Sequence, residues 1–145
     1  MGKVISLVES TEGQGPIYRV WLAVVDSTLS PSDISRRLGL IPTRELVKGL
    51  PTPPHSNGLS MNRVAPCNRW ELKIPIEDER PLGDHFAALD EILNEGVIAE
   101  LHALSASALV RIEIEAIRDV GISIPASLVR AIAKCGGEFD IDTGS

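Results

Sequence analysis

Apolar and polar residues alternate with a period of two in some stretches of this chain and recur at three- and four-residue spacing in others, and the switches mark out its elements. Ile17 to Val25 is a nearly continuous apolar run rich in β-branched residues, with Tyr18 and Trp21 inside it, as a central strand would be. With Tyr18, Val20, Leu22 and Val24 turned to the core, the period of two puts Arg19, Trp21 and Ala23 on the opposite face; the reverse choice would bury Arg19. Trp70, Leu72, Ile74 and Ile76 alternate with Glu71, Lys73 and Pro75, a strand with one buried face. Pro75 has no N–H for a ladder bond, so that strand lies at an edge or ends there. Val110, Ile112, Ile114 and Ala116 alternate with Arg111, Glu113 and Glu115, and the closing GEFDID turns Phe139 and Ile141 inward.

Helical spacing governs the rest. Ser30 can cap, Pro31 suits a first helical position, Asp33 favours the N-terminal dipole, and Ile34 and Leu38 share a face before Gly39 and Pro42 end the run. A helix from about Pro31 to Leu38 follows. Phe86, Leu89, Ile92 and Leu93 predict a second helix, Gly96 an interruption, and Val97 to Ser105 a third helix carrying Ile98, Leu101 and Leu104. Pro125 opens a fourth, whose Leu128, Ile132 and Cys135 form one stripe, and Gly136 and Gly137 close it. Arg44 to Gly49 reads as a short extended piece. LPTPPHSNGLSMNRVAPCN, from Leu50 to Asn68, has four prolines and no periodicity, a loop of a length that compact domains keep when it binds something or is mobile.

The order is β-α-β-β-α-α-β-α-β, and strands with one apolar face imply an α+β fold: two layers, a mainly antiparallel sheet of four to five strands with helices on one face. Residues 17–145 form a single domain, preceded by an arm over residues 1–16 whose Val4, Ile5, Leu7 and Val8 could add a strand.

Composition narrows the function. At 145 residues and 43% hydrophobic, the chain can build one core, and with five aromatics that core must be aliphatic. The longest apolar run is far short of a membrane span and the N-terminus lacks a secretion core, so a cytoplasmic location is expected. A formal charge of −6 repels a phosphate backbone, which makes nucleic acid a poor partner and would steer the chain toward basic proteins. Cys67 and Cys135 sit in no paired motif, so neither a disulfide nor a zinc site is expected, and no cofactor is implied.

Laid out this way, the chain resembles the family called domain of unknown function 4279. The resemblance rests on the aromatic-led strand from Tyr18, SPSDISRRLGLIPT, the pair Lys48 and Gly49, Trp70 opening a strand, and the closing GGEFDID, and it spans about Tyr18 to Asp142. It implies a small bacterial α+β domain with no established activity and, by association, an immunity-type role in which a small protein blocks a toxin. The chain departs from the family pattern in ending with TGS after its last DID.

Chemistry-bearing residues are few. His55, His85 and His102 have no metal-binding spacing, and a Cys67–His55 nucleophile pair lacks an orienting third group, so no enzyme is expected. Lys48 beside Gly49 suggests a phosphate contact, but a turn glycine beside a surface lysine explains the pair equally well and is the reading preferred. The strand parities gather Arg19, Trp21, Glu71, Lys73, Arg111, Glu113, Glu115, Glu138, Asp140 and Asp142 on the face away from the helices, six acids against three bases, or −3. Trp21 with Glu113, Glu115, Asp140 and Asp142 could anchor a basic protein surface, with Lys48, His55 and Asn57 of the loop region adding contacts. The plainer alternative is a solvated face laced with cross-strand ion pairs. A protein-binding module is therefore expected first and a small-ligand sensor with a pocket under the 50–68 loop second; a homo-oligomer is compatible with both.

Overall fold

The computed structural model describes residues 15–52, 63–119 and 121–143. Five strands form one sheet in the order β2-β3-β1-β4-β5: β1 (Ile17–Val25), β2 (Arg44–Leu46), β3 (Arg69–Lys73), β4 (Leu109–Ile117) and β5 (Glu138–Asp142). Helices α1 (Pro31–Leu38), α2 (Leu82–Ile92), α3 (Glu95–Leu104) and α4 (Ala126–Cys135) supply the second layer. The fold is the expected α+β class with the expected element order. All pairings are antiparallel except that of β4 with β5.

The core is the seam between the layers. Tyr18, Val20, Leu22 and Val24 of β1, Trp70 of β3 and Val110, Ile112, Ile114 and Ala116 of β4 bury one sheet face against Ile34 and Leu38, Phe86 and Leu89, Leu101 and Leu104, and Leu128 and Ile132 of the helices. Trp70 is wholly enclosed and its indole N–H donates to Ser35 Oγ at 3.0 Å, which ties α1 to the sheet while satisfying a buried donor. At the start of α1, Ser30 Oγ accepts from the Asp33 N–H, and at its end Gly39 takes φ +68°.

Several boundaries differ from the sequence expectation for physical reasons. Gly96 lies inside the first turn of α3; the break falls at Leu93 and Asn94, where Asn94 Oδ1 accepts from the Val97 N–H at 3.0 Å. β3 is an interior strand, so Pro75 marks its end and not an edge. Ile141 stands opposite Ile114 on the helix side, as its parity requires, but an edge position leaves it 43% exposed. The loop after β2 is not without structure at its described ends: Lys48 bridges Ala65, Pro51 bridges Val64, and Ala65 is buried. Asn68 secures that end, accepting from the Lys48 N–H and donating from Nδ2 to the carbonyls of Ser27 and Leu29. The 1–16 arm, apart from Gly15 and Pro16, lies outside the described residues, as do His55 and Asn57.

The passage from α4 to β5 needs a residue without a side chain. A Cβ at Gly137 would stand 2.9 Å from the Val110 carbonyl oxygen and 3.2 Å from Val110 Cγ1. Backbone cannot step aside as a flexible side chain can, so Gly137→Ala is expected to destabilise the fold by about 1–3 kcal/mol, read as a lower midpoint in chemical denaturation.

Candidate functional site

The sheet face away from the helices gathers the charged residues. The register sets Trp21 between Lys73 and Glu113, Arg19 beside Glu115, Ala23 between Glu71 and Arg111, and Glu138, Asp140 and Asp142 beside Arg111, Glu113 and Glu115. Trp21, Glu113, Glu115, Asp140 and Asp142 thus share one surface; Lys48 lies beyond the end of β2, exposed, and the +85° φ of Gly49 marks a turn there.

Two residues outside the sequence reading change the character of this face. Arg69 pairs with Val25 and with Leu46, and Arg44 with Glu71, so both stand on the same side as Trp21. With them the strand residues of the face number five bases against six acids, a net −1 in place of −3, and the charge is polarised, with Asp78 from beyond β3 offsetting part of the positive half. Arg19, Arg44, Arg69 and Lys73 against Glu71 leave +3 on β1, β2 and β3. Arg111 against Glu113, Glu115, Glu138, Asp140 and Asp142 leaves −4 on β4 and β5.

Tight ion pairs occupy the middle. Arg69 holds Glu71 at 2.8 Å and both oxygens of Glu113 at 2.5 Å, with all three side chains largely buried. Burial works against the Arg69 charge, but Glu113 and Glu71 outweigh it and hold its pKa above the ordinary value. Arg44 adds a longer contact to Glu71 at 3.8 Å. Toward the start of β1, Asp78 takes Arg19 at 2.8 Å and Lys73 at 3.1 Å; burial would raise its pKa, and these two cations bring it below the usual carboxylate value. The half-buried indole of Trp21 donates to Glu115 Oε1 at 3.0 Å, which fixes the ring in place. Toward β5 the pairing slackens: Arg111 reaches Glu113 only at 3.6 Å and Glu138 at 3.5 Å, and its Nε has no hydrogen-bond partner.

A family model for the domain of unknown function DUF4279 matches residues 16–145. The chain belongs to the DUF4279 family. Neither the curated proteins nor the solved structures provide a match. The DUF4279 match covers every strand and helix of the sheet and its covering layer, so the polarised face is a feature of the family domain in this chain and not of an appendage.

Other groups in the domain lie apart from this face. Cys135 is enclosed in the core, and burial pushes its thiol up to about 11, which keeps it protonated and unreactive. His102 is exposed. Among the described residues no three His, Cys, Asp or Glu side chains are grouped to hold a metal ion, and no helix is long and apolar enough to cross a membrane. A cleft of about 470 Å³ opens at the start of β1, lined by Ile17, Tyr18, Glu79, Pro81 and Arg118; Asn68, the last residue of the 50–68 loop, lies at the opposite end of β1.

Arg69 is the side chain whose loss should matter most here. Arg69→Ala leaves the poorly hydrated Glu71 and Glu113 with only their longer contacts to Arg44 and Arg111, and is expected to lower stability by about 2–3 kcal/mol. Denaturation of the wild type and of Arg69→Ala at two salt concentrations checks this, because added salt screens away a surface pair but a shielded one much less, so the difference between the two proteins should persist at high salt.

His85 supplies a pH signature. It is fully buried, faces the Tyr18 ring edge-on at 6.2 Å, and among the described residues neither ring nitrogen has a partner at good hydrogen-bond geometry, the Arg80 backbone being its nearest polar neighbour of consequence. Burial pushes its pKa below 6.5 and Lys73 adds to this, outweighing the Arg80 backbone and the carboxylates of Asp78 and Asp84. As pH falls, the unfolded chain therefore binds the proton first. The stability that neutral His85 contributes is whole above about pH 6.5 and declines below it until the folded imidazole itself titrates. Denaturation midpoints should fall between pH 7 and 5 in the wild type and stay flat over that range in His85→Phe; the contribution of Asp78 belongs to the lower, carboxylate range.

Proposed function

We propose that this DUF4279 domain is a non-catalytic protein-binding module that acts by covering a surface of its partner. The observation that supports this is the broad sheet face left bare by the helices, where Trp21 is anchored to Glu115 in a field of charges already locked to one another. A surface organised before binding loses little side-chain freedom on contact, and a fixed tryptophan suits an interface centre. Its polarity selects the partner: a protein that is basic where it meets β4 and β5 and acidic or neutral where it meets β2 and β3. A toxin blocked by occlusion, the immunity-type role, is the form of this reading we favour, and it suits a cytoplasmic protein. A small-ligand sensor is the second reading, favoured by the 470 Å³ cleft at Tyr18 and Arg118, a size typical of ligand pockets.

The test is capture of partners by the tagged full chain from lysate of its source, in parallel with Trp21→Ala and Glu115→Lys. The expected result is a stoichiometric protein retained at low salt by the wild type and reduced at least tenfold with either variant. Equal recovery by all three proteins, or recovery of none, would overturn the sheet-face reading.

A further inference from the structure

Two rows of residues across the open face change sign when read backwards. The register aligns Arg44 of β2, Glu71 of β3, Ala23 of β1, Arg111 of β4 and Glu138 of β5, so the charges run plus, minus, zero, plus, minus. From the other end every charge is reversed. The neighbouring row of Lys73, Trp21 and Glu113 has the same property, with the indole at its centre. The two ends of the longer row are loosely held within the chain: Arg44 reaches Glu71 at 3.8 Å and Glu138 reaches Arg111 at 3.5 Å, with side chains 48% and 55% exposed.

A face with this sign pattern is complementary to itself. A half-turn about an axis lying in the face, along β1, exchanges its two margins. Arg44 then meets Glu138 of the second copy, Glu71 its Arg111 and Lys73 its Glu113, and symmetry makes each contact twice. An axis across the strands would instead set Arg44 against Arg44 and Glu138 against Glu138, like charges directly opposed. Stacked sheets pack about 10 Å apart with their strands roughly aligned, a gap that facing arginine and glutamate side chains can bridge. Among the charges, Arg19 falls close to its own counterpart, but it is already answered by Asp78 at 2.8 Å and Glu115 at 3.7 Å.

We propose that the open face receives a second copy of this chain, stacked sheet to sheet about a two-fold axis along β1. The proposal rests on the reading of this face as a protein-binding surface and names an occupant for it. Trp21 lies against Trp21 at the centre, and a different protein of the same polarity has to displace the second copy to bind.

The test is sedimentation of the full chain at low salt over a range of concentrations, for the wild type, for Arg44→Glu, for Glu138→Arg and for an equimolar mixture of the two variants. Both positions are exposed, and circular dichroism checks that each variant keeps its fold. The wild type is expected to dimerise with a dissociation constant well below millimolar. Each variant alone should dimerise at least tenfold more weakly, because its row then sets like charges against each other. The mixture should regain the wild-type affinity, because each variant supplies the sign that the other has lost. A dimer that both variants leave intact would place association elsewhere on the chain and overturn the proposal, as would a loss that mixing does not restore. A wild type that stays monomeric up to millimolar concentration would also overturn it. In that case capture of a different protein, lost with Trp21→Ala, would keep the face reading standing, and capture of none would remove both.

Discussion

Everything in this domain is referred to β1. All nine of its residues pair with β4 along one side and Trp21 to Val25 pair with β3 along the other, and its two faces meet opposite environments. A one-residue slip would carry Val20, Leu22 and Val24 to the open face and drive Arg19 and Trp21 into the helices. The apolar face therefore fixes the register of the neighbouring strands, and the register in turn decides which charges meet on the far side. The ion pairs of the open face are a consequence of the core and not an independent feature.

That dependence explains why the face is polarised and not uniformly acidic. Arg69 lies far from Glu113 in sequence, and the two meet only because β3 and β4 flank β1 on opposite sides. Long side chains reaching across β1 enclose Ala23, which is fully buried on a face with no helix over it. Such a surface is stiff for a solvent-facing one. Its charges answer one another closely in the centre, and the contacts lengthen toward β5, where Arg111 meets Glu113 at 3.6 Å and Glu138 at 3.5 Å.

Local periodicity made most of the fold legible. The strand parities, the limits of α1, with its serine cap and glycine terminus, and the helical stripe of Leu128, Ile132 and Cys135 follow from spacing and turn chemistry, which act over a few residues. What escaped was set by distance. Arg69 was within reach of the same alternation, since one step back from Trp70 through Glu71 and Lys73 puts it on the open face; Arg44 was not, because its side is decided by pairing with Glu71. The parallel match of β5 with β4, and hence an edge that leaves Ile141 half uncovered, is a choice among strand orders that parity does not make. Gly96 misled because a glycine tolerated in a first helical turn looks like one that ends a helix, whereas the side-chain cap at Asn94 was the real punctuation.

The two tryptophans stand on opposite sides of one sheet, Trp70 sealed beneath α1 and Trp21 half open to solvent beside Glu115. No other indole is present. The domain therefore carries two separate optical probes in its native sequence: a buried fluorophore whose emission follows the docking of α1, and a surface one open to aqueous quenchers. Loosening of the core and covering of the open face would change different parts of the same spectrum, so one cuvette can tell a partner that occupies the sheet from a condition that merely unsettles the fold.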